Sequence, residues 1–167
     1  MDIFDAIQPT DVTVPEALAI QISSSVGSNP AEMGAAMGAA FETLMAYLGE
    51  KNLLCIGAPR CVYTSYGPEG TTFSTAMPVA AAPENAGDGP VIVAPLPSGK
   101  ALRFTHTGPY PQLMGTYNSI TEYLREKGLL VTDADWAKYM PMWEEYVNDP
   151  DTVPEAELIT HIYLPMP

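Results

Sequence analysis

Apolar and polar side chains alternate through residues 17–23, where Leu18, Ile20 and Ile22 share one face, and this period of two predicts a half-buried strand. Residues 60–66, 71–79, 91–94 and 101–107 read as further strands, with Gly67-Pro68-Glu69-Gly70 as the turn between the first two. Two more close the chain, Trp143-Glu144-Glu145-Tyr146-Val147-Asn148 and Leu158-Ile159-Thr160-His161-Ile162-Tyr163-Leu164. The loop between them, Asp149-Pro150-Asp151-Thr152-Val153-Pro154, is turn chemistry throughout. On the last strand Leu158, Ile162 and Leu164 form a core face, and Ile159, His161 and Tyr163 form the other. On its partner Glu144, Tyr146 and Asn148 lie opposite Trp143 and Val147. A sheet face carrying tyrosines, a histidine and an acid suits neither a core nor a wet surface, and it has the look of a ligand pocket.

The period changes to that of a helix in two places. After a loop at Gly27-Ser28, Asn29 is an N-cap, Pro30 suits the first helical position and Glu32 completes a capping-box spacing. Met33, Met37, Phe41, Leu44 and Leu48 then recur at three and four. Gly34 and Gly38 each cost about 1 kcal/mol against alanine, and the expected compensation is close approach of this helix to a sheet. The second helix follows Gly108-Pro109-Tyr110-Pro111 and carries Leu113, Tyr117, Ile120 and Leu124 in a stripe, with Arg125 and Lys127 at its negative end and Gly128 as its stop. Residues 1–16 read as an acidic lead-in, residues 80–90 as an exposed linker, and residues 129–142 as irregular chain whose Trp136, Tyr139 and Met140 cover an edge.

The helix ends repeat. Tyr47-Leu48-Gly49-Glu50-Lys51-Asn52-Leu53-Leu54 matches Tyr123-Leu124-Arg125-Glu126-Lys127-Gly128-Leu129-Leu130 at six of eight positions, offset by 76. The order of elements repeats too, which predicts an α+β fold of two βαββ halves in one domain over 1–167. The halves run from about 16 to 82 and 91 to 167, joined by a linker at about 83–90. Edge-to-edge pairing of the halves gives one curved antiparallel sheet with both helices on one side. The expected ligand site is the uncovered concave face, where the tyrosines and His161 are expected to point.

Composition narrows the function. The chain has 167 residues, seven Lys plus Arg and a net charge of −13. A nucleic-acid binder needs a basic stripe to displace counterions, so DNA and RNA are not expected partners. Anionic membrane surfaces would be repelled, and no apolar run is long enough to span a bilayer. Cys55 and Cys61 make neither a disulfide framework nor a zinc site and are expected to be buried free thiols. No metal or cofactor is expected, and without an export signal in the opening residues the cytoplasm is the expected compartment.

Three motifs in order then carry a resemblance: Thr105-His106-Thr107-Gly108-Pro109-Tyr110, Trp143 to Pro150, and Glu157 to Pro165. Tyr63 and Met77-Pro78-Val79 carry it in the first half. The chain resembles the bacterial GyrI-like small-molecule-binding family, the fold of the effector-binding domain of multidrug-sensing transcription activators and of gyrase-inhibitor-like proteins. The resemblance implies paired SHS2-type halves around a multidrug-binding cleft, here standing alone, since no helix-turn-helix fits. The family's Trp-x-x-Tyr strand falls on Trp143 and Tyr146. The last-strand position that in many relatives is a pocket glutamate falls on His161. That glutamate anchors cationic drugs and, in relatives resembling cyclopropanoid hydrolases, takes part in acid–base chemistry. A histidine supplies no fixed negative charge, and Glu144 is the candidate to take its place.

The leading expectation is a binder of an aromatic or lipophilic small molecule, with Tyr63, Trp143, Glu144, Tyr146, His161 and Tyr163 lining the site. Ordinary packing is the alternative for each ring. A second expectation is a hydrolase of small electrophiles with His161 as acid or base beside Tyr146 or Tyr163. His106, before a Gly-Pro turn, is expected to bond that turn. The absence of a Gly-x-Ser-x-Gly elbow speaks against a Ser/His/Asp triad. A third expectation, a macromolecular inhibitor acting through its acidic surface, finds no concentrated patch, because the acids are scattered.

Overall fold

The computed structural model describes residues 8–27, 29–67, 69–83 and 89–166. Residues 1–7, Ser28 and Pro68 of two expected turns, residues 84–88 of the expected linker, and Pro167 lie outside them. The described chain runs β1 (Thr10–Val14), β2 (Leu18–Val26), α1 (Pro30–Glu50), β3 (Arg60–Gly67), β4 (Gly70–Val79), β5 (Ile92–Pro95), β6 (Gly99–Thr107), α2 (Leu113–Glu126), β7 (Met142–Tyr146) and β8 (Ile159–Pro165). Short 3-10 turns precede α2 and fill part of the stretch between α2 and β7, where Tyr139 is buried and donates to Leu129 O.

The strands form one eight-stranded antiparallel sheet in the order β1-β6-β8-β7-β3-β4-β2-β5. The fold is α+β, and the expected duplication is visible in that order. β2-α1-β3-β4 and β6-α2-β7-β8 are equivalent, and the two post-helix strands β3 and β7 pair at the seam, with Cys61 opposite Glu144 and Val62 opposite Trp143. The repeat extends to side chains. Lys51 sits 5.9 Å over the Tyr47 ring and Lys127 5.8 Å over the Tyr123 ring. Asn52 and Gly128, where the two copies differ, both hold positive φ (54° and 72°) and end their helices alike. The next N–H returns to the preceding turn, Leu53 to Leu48 O and Leu129 to Leu124 O.

One expectation is corrected at the edges. The lead-in contains a strand, β1, which pairs with β6 of the other half, while β5 pairs with β2. The lead-in strand thus extends the second half, and β5 of the second half extends the first. β1 is short and half polar, and its partner is remote in sequence, so no local pattern announces it.

Both helices lie on one face. Ala40, Leu44 and Tyr47 of α1 pack with Ile20, Ile22, Met77 and Val79, and Ile120 and Leu124 of α2 pack with Phe73, Phe104, Ile162 and Leu164. Two local expectations for α1 differ from the structure. Glu32 accepts from Gly27 N rather than from the cap residue, while Asn29 accepts from Ala31 N. Gly34 and Gly38 face solvent, and a Cβ on either would meet nothing within 4 Å, so they are not sites of close approach to the sheet. The opposite face is not bare. Val14, Ala19, Val62, Ala76, Leu96, Ala101, Trp143 and Tyr163 form a separate core there.

Candidate functional site

The seam strands set the site. α1 rests mainly on β2 and β4, and α2 on β6, so β3 and β7 lie under the gap between the helices. The side chains they present to that gap are Cys61, Tyr63, Met142, Glu144 and Tyr146, because paired residues share a face and alternate ones exchange it. Glu144 is 3 % exposed. Its Oε1 accepts from Tyr146 Oη at 2.8 Å, and its Oε2 accepts from Tyr117 Oη of α2. Tyr63 of β3 lies on the same face, and its phenol also lowers this carboxyl.

A second layer closes over this group. The Tyr146 hydroxyl lies 3.5 Å from Met37 Sδ of α1, and the Tyr146 ring makes edge contacts with Phe41 (6.3 Å) and Tyr110 (5.7 Å). One carboxyl therefore sits at the floor of a gap walled by aromatic rings and a thioether. It takes part in no ion pair among the described residues.

The electrostatics follow from that burial. Loss of solvent pushes the Glu144 carboxyl above its ordinary value, while hydrogen bonds from Tyr117, Tyr146 and Tyr63 pull it back. The phenols of Tyr63, Tyr117 and Tyr146 are pushed well up, by burial first and then by the Glu144 charge, so they remain donors at any ordinary pH. Burial and then Glu144 push the Cys61 thiol up as well, which removes it as a nucleophile near neutrality. Cys61 is buried as expected, and Cys55 is only half-buried.

The expected site residues divide between the two faces. Tyr63, Glu144 and Tyr146 meet beneath the helices. Trp143, His161 and Tyr163 lie on the other face, where Trp143 stacks on Tyr163 at 5.1 Å and 9° and is 1 % exposed. This corrects the expectation that the tyrosines and His161 share one uncovered face. The register places Trp143 opposite Tyr163 and Glu144 opposite Ile162, so a group next in sequence to Glu144 points away from it. His161 consequently does not meet Tyr146. Its Nδ1 is 3.3 Å from Glu145 Oε1, and its ring touches Tyr163 edge-on at 6.2 Å.

His106 bonds the turn as expected, Nε2 to Pro109 O at 3.1 Å, with Nδ1 against Thr116 Oγ1. Tyr117 and Tyr110 were not among the expected site residues. Tyr117 reads as one apolar position of a helix stripe, and only the Gly-Pro-Tyr motif hinted at Tyr110. Among the described residues no group of His, Cys, Asp and Glu is placed to hold a metal, and no helix is long and apolar enough to cross a membrane. A surface hollow lined by Thr43, Tyr47, Glu50 and Val91 lies elsewhere on α1 and shares no residue with this constellation.

Solved structures share the fold. The EcmrR C-terminal domain is 18 % identical, with a TM-score of 0.68, over 95 % of this chain and 96 % of that one. In the EcmrR–DNA complex the match spans 57 % of the EcmrR chain. SAV2435, in a structure bound to tetraphenylphosphonium, is 16 % identical with a TM-score of 0.64 over 95 % of this chain and 93 % of that one. A hydrolase encoded by lin2189 of Listeria innocua is 13 % identical with a TM-score of 0.59 over 95 % and 91 %. No curated protein matches by sequence. A family model described as the GyrI-like small molecule binding domain matches residues 9–167. With that match over nearly its whole length, and with two βαββ halves paired at a seam, the chain belongs to the GyrI-like family of small-molecule-binding domains.

Proposed function

We propose that the chain binds small lipophilic cations, with the charge seated at Glu144 and the apolar body against Tyr63, Tyr110, Tyr117, Tyr146, Phe41 and Met37. The observation that carries this reading is the Glu144 carboxyl: buried, held by phenol hydroxyls, and in no ion pair among the described residues. A buried carboxylate without a countercharge is costly, and a ligand cation removes that cost. Aromatic faces add attraction for a cation once water is displaced. The binding of tetraphenylphosphonium by SAV2435 is consistent with it. Entry is between α1 and α2, where Met33, Met37 and Phe41 are only half-buried.

A thermal-shift series with tetraphenylphosphonium, a neutral aromatic and an aromatic acid tests the reading. At about 100 times its dissociation constant a ligand adds roughly 2.7 kcal/mol. Stabilisation by the cation alone is expected, and stabilisation only by the neutral or acidic compound contradicts it.

A second reading draws on the same carboxyl. A buried glutamic acid with a raised pKa beside phenol donors also suits acid catalysis of hydrolysis. It differs from the sequence expectation in using Glu144 where His161 was the candidate. Turnover of a small electrophile, abolished in Glu144→Gln, is its test.

A further inference from the structure

The face of the sheet away from the helices carries its own polar cluster, none of which belongs to the Glu144 site. Four adjacent strands contribute. Arg60 of β3 is paired across the sheet with Glu145 of β7, Glu145 with His161 of β8, and Tyr163 of β8 with Arg103 of β6. Glu145 Oε1 accepts from Tyr163 Oη at 3.1 Å and lies 3.3 Å from His161 Nδ1. Arg60 Nε is 3.7 Å from Glu145 Oε2, an ion pair too long for a hydrogen bond. Arg103, directly across from Tyr163 in the β6–β8 ladder, lies on the same face and lowers the Tyr163 phenol against the upward push of burial. Arg60 and Arg103 thus flank the Glu145–Tyr163 pair on one face of the sheet.

What this cluster lacks is acceptors. Arg60 Nε, Arg60 Nη1, Arg103 Nε and Trp143 Nε1 are all buried N–H donors, and none has a hydrogen-bond partner among the described residues. Buried donors are rarely left unmet in folded proteins. The only carboxylate in the cluster, Glu145, is already shared by Tyr163, His161 and Arg60. The charges of Arg60, Arg103 and Glu145 sum to +1 in a chain whose net charge is −13. Two of the seven Lys and Arg residues gather at this one place. Tyr163 also packs into the apolar core of Val14, Ala17, Leu96 and Trp143 on this face.

We infer that this face is a second ligand site, for a small carboxylate held by Arg60 and Arg103 beside Tyr163 and His161. A carboxylate supplies acceptor lone pairs in the planar geometry that a guanidinium fork matches. A single negative charge also balances the local +1, whereas a polyanion is opposed by the acidic remainder of the molecule. The site is independent of the Glu144 reading, since the two lie on opposite faces and share no residue.

The test is a titration of the ¹⁵N-labelled protein with sodium acetate, with sodium chloride and sodium phosphate as controls at matched ionic strength. The resonances to follow are the Trp143 indole N–H and the Arg60 and Arg103 Nε–H. Saturable shifts of these signals with acetate alone are expected. Arg103→Gln should raise the acetate dissociation constant about tenfold or more while leaving tetraphenylphosphonium binding unchanged, and Glu144→Gln should leave acetate binding unchanged. Absent or non-saturating shifts, equal shifts with chloride, tighter binding of phosphate, or unaltered acetate affinity in a folded Arg103→Gln protein would each overturn the inference. Arg103→Lys provides the second variant: retention of charge without the fork should weaken acetate binding, and undiminished affinity would also overturn it.

Discussion

Tyr117 of α2 donates its phenol proton to Glu144 of β7, and this bond ties a helix of the second half to the seam between the halves. Tyr146, two residues along the same strand, donates to the other carboxylate oxygen at 2.8 Å. The carboxyl is thereby held in one orientation at the floor of an apolar gap. Preorganisation of this kind lowers the ordering cost of binding.

Tyr146→Phe removes one of those donors with almost no change in volume. A hydrogen bond to a charged group contributes about 1.5–3 kcal/mol. Its loss moves the carboxyl further up, because that bond is among those holding it down. The expected outcome at neutral pH is weaker cation binding by about tenfold, with an unchanged circular-dichroism spectrum. Calorimetric titration of the variant checks it.

The raised Glu144 pKa has a defined pH consequence. Between the ordinary value of 4.5 and the higher folded value, the folded state holds a proton that the unfolded state has lost. The group's stabilising contribution is therefore complete below 4.5 and disappears as pH rises through the folded value. Cation affinity is expected to run the other way and increase across that window, with a proton released on binding. Asp135, lowered to about 2 by hydrogen bonds from Thr132 N, Lys138 and Val131 N, contributes in a separate window and loses its contribution as pH falls below 3.8. Titrations in buffers of different ionisation enthalpy measure the proton release, which Glu144→Gln should abolish.

Alternation along the chain was enough to locate most strands and to separate Glu144 and Tyr146 from Trp143. The match between residues 47–54 and 123–130 was enough to see the duplication. It did not show which face the helices cover. That depends on long-range register, and it decides that Tyr63 and Glu144 share the helix-covered face while Trp143 and His161 lie on the other. Tyr117 was hidden for a related reason. A tyrosine in a helix stripe looks the same whether its hydroxyl reaches a core edge or a buried carboxyl. β1 was hidden because its partner β6 belongs to the other half.

Gly34 and Gly38 lie in α1 on the solvent side, with open space where a Cβ would stand. Alanine at either position should raise stability by about 0.5–1 kcal/mol. Urea unfolding of Gly34→Ala and Gly38→Ala measures this, and a loss of stability would show that the glycines are needed for packing.

Gly70 is the opposite case. Its φ is 141°, and an added Cβ would stand 2.3 Å from Val26 O on the neighbouring strand. Neither backbone can yield without breaking the β2–β4 ladder. Gly70→Ala should cost at least about 2 kcal/mol, read from the same unfolding curves.

The most direct test of the central claim is calorimetric titration of tetraphenylphosphonium into the native protein and into Glu144→Gln near pH 7. Saturable binding to the native protein is expected, weakened at least about tenfold in the variant, with both proteins equally folded. Equal affinity in the two would contradict it, because the cation would then be seated somewhere other than on Glu144.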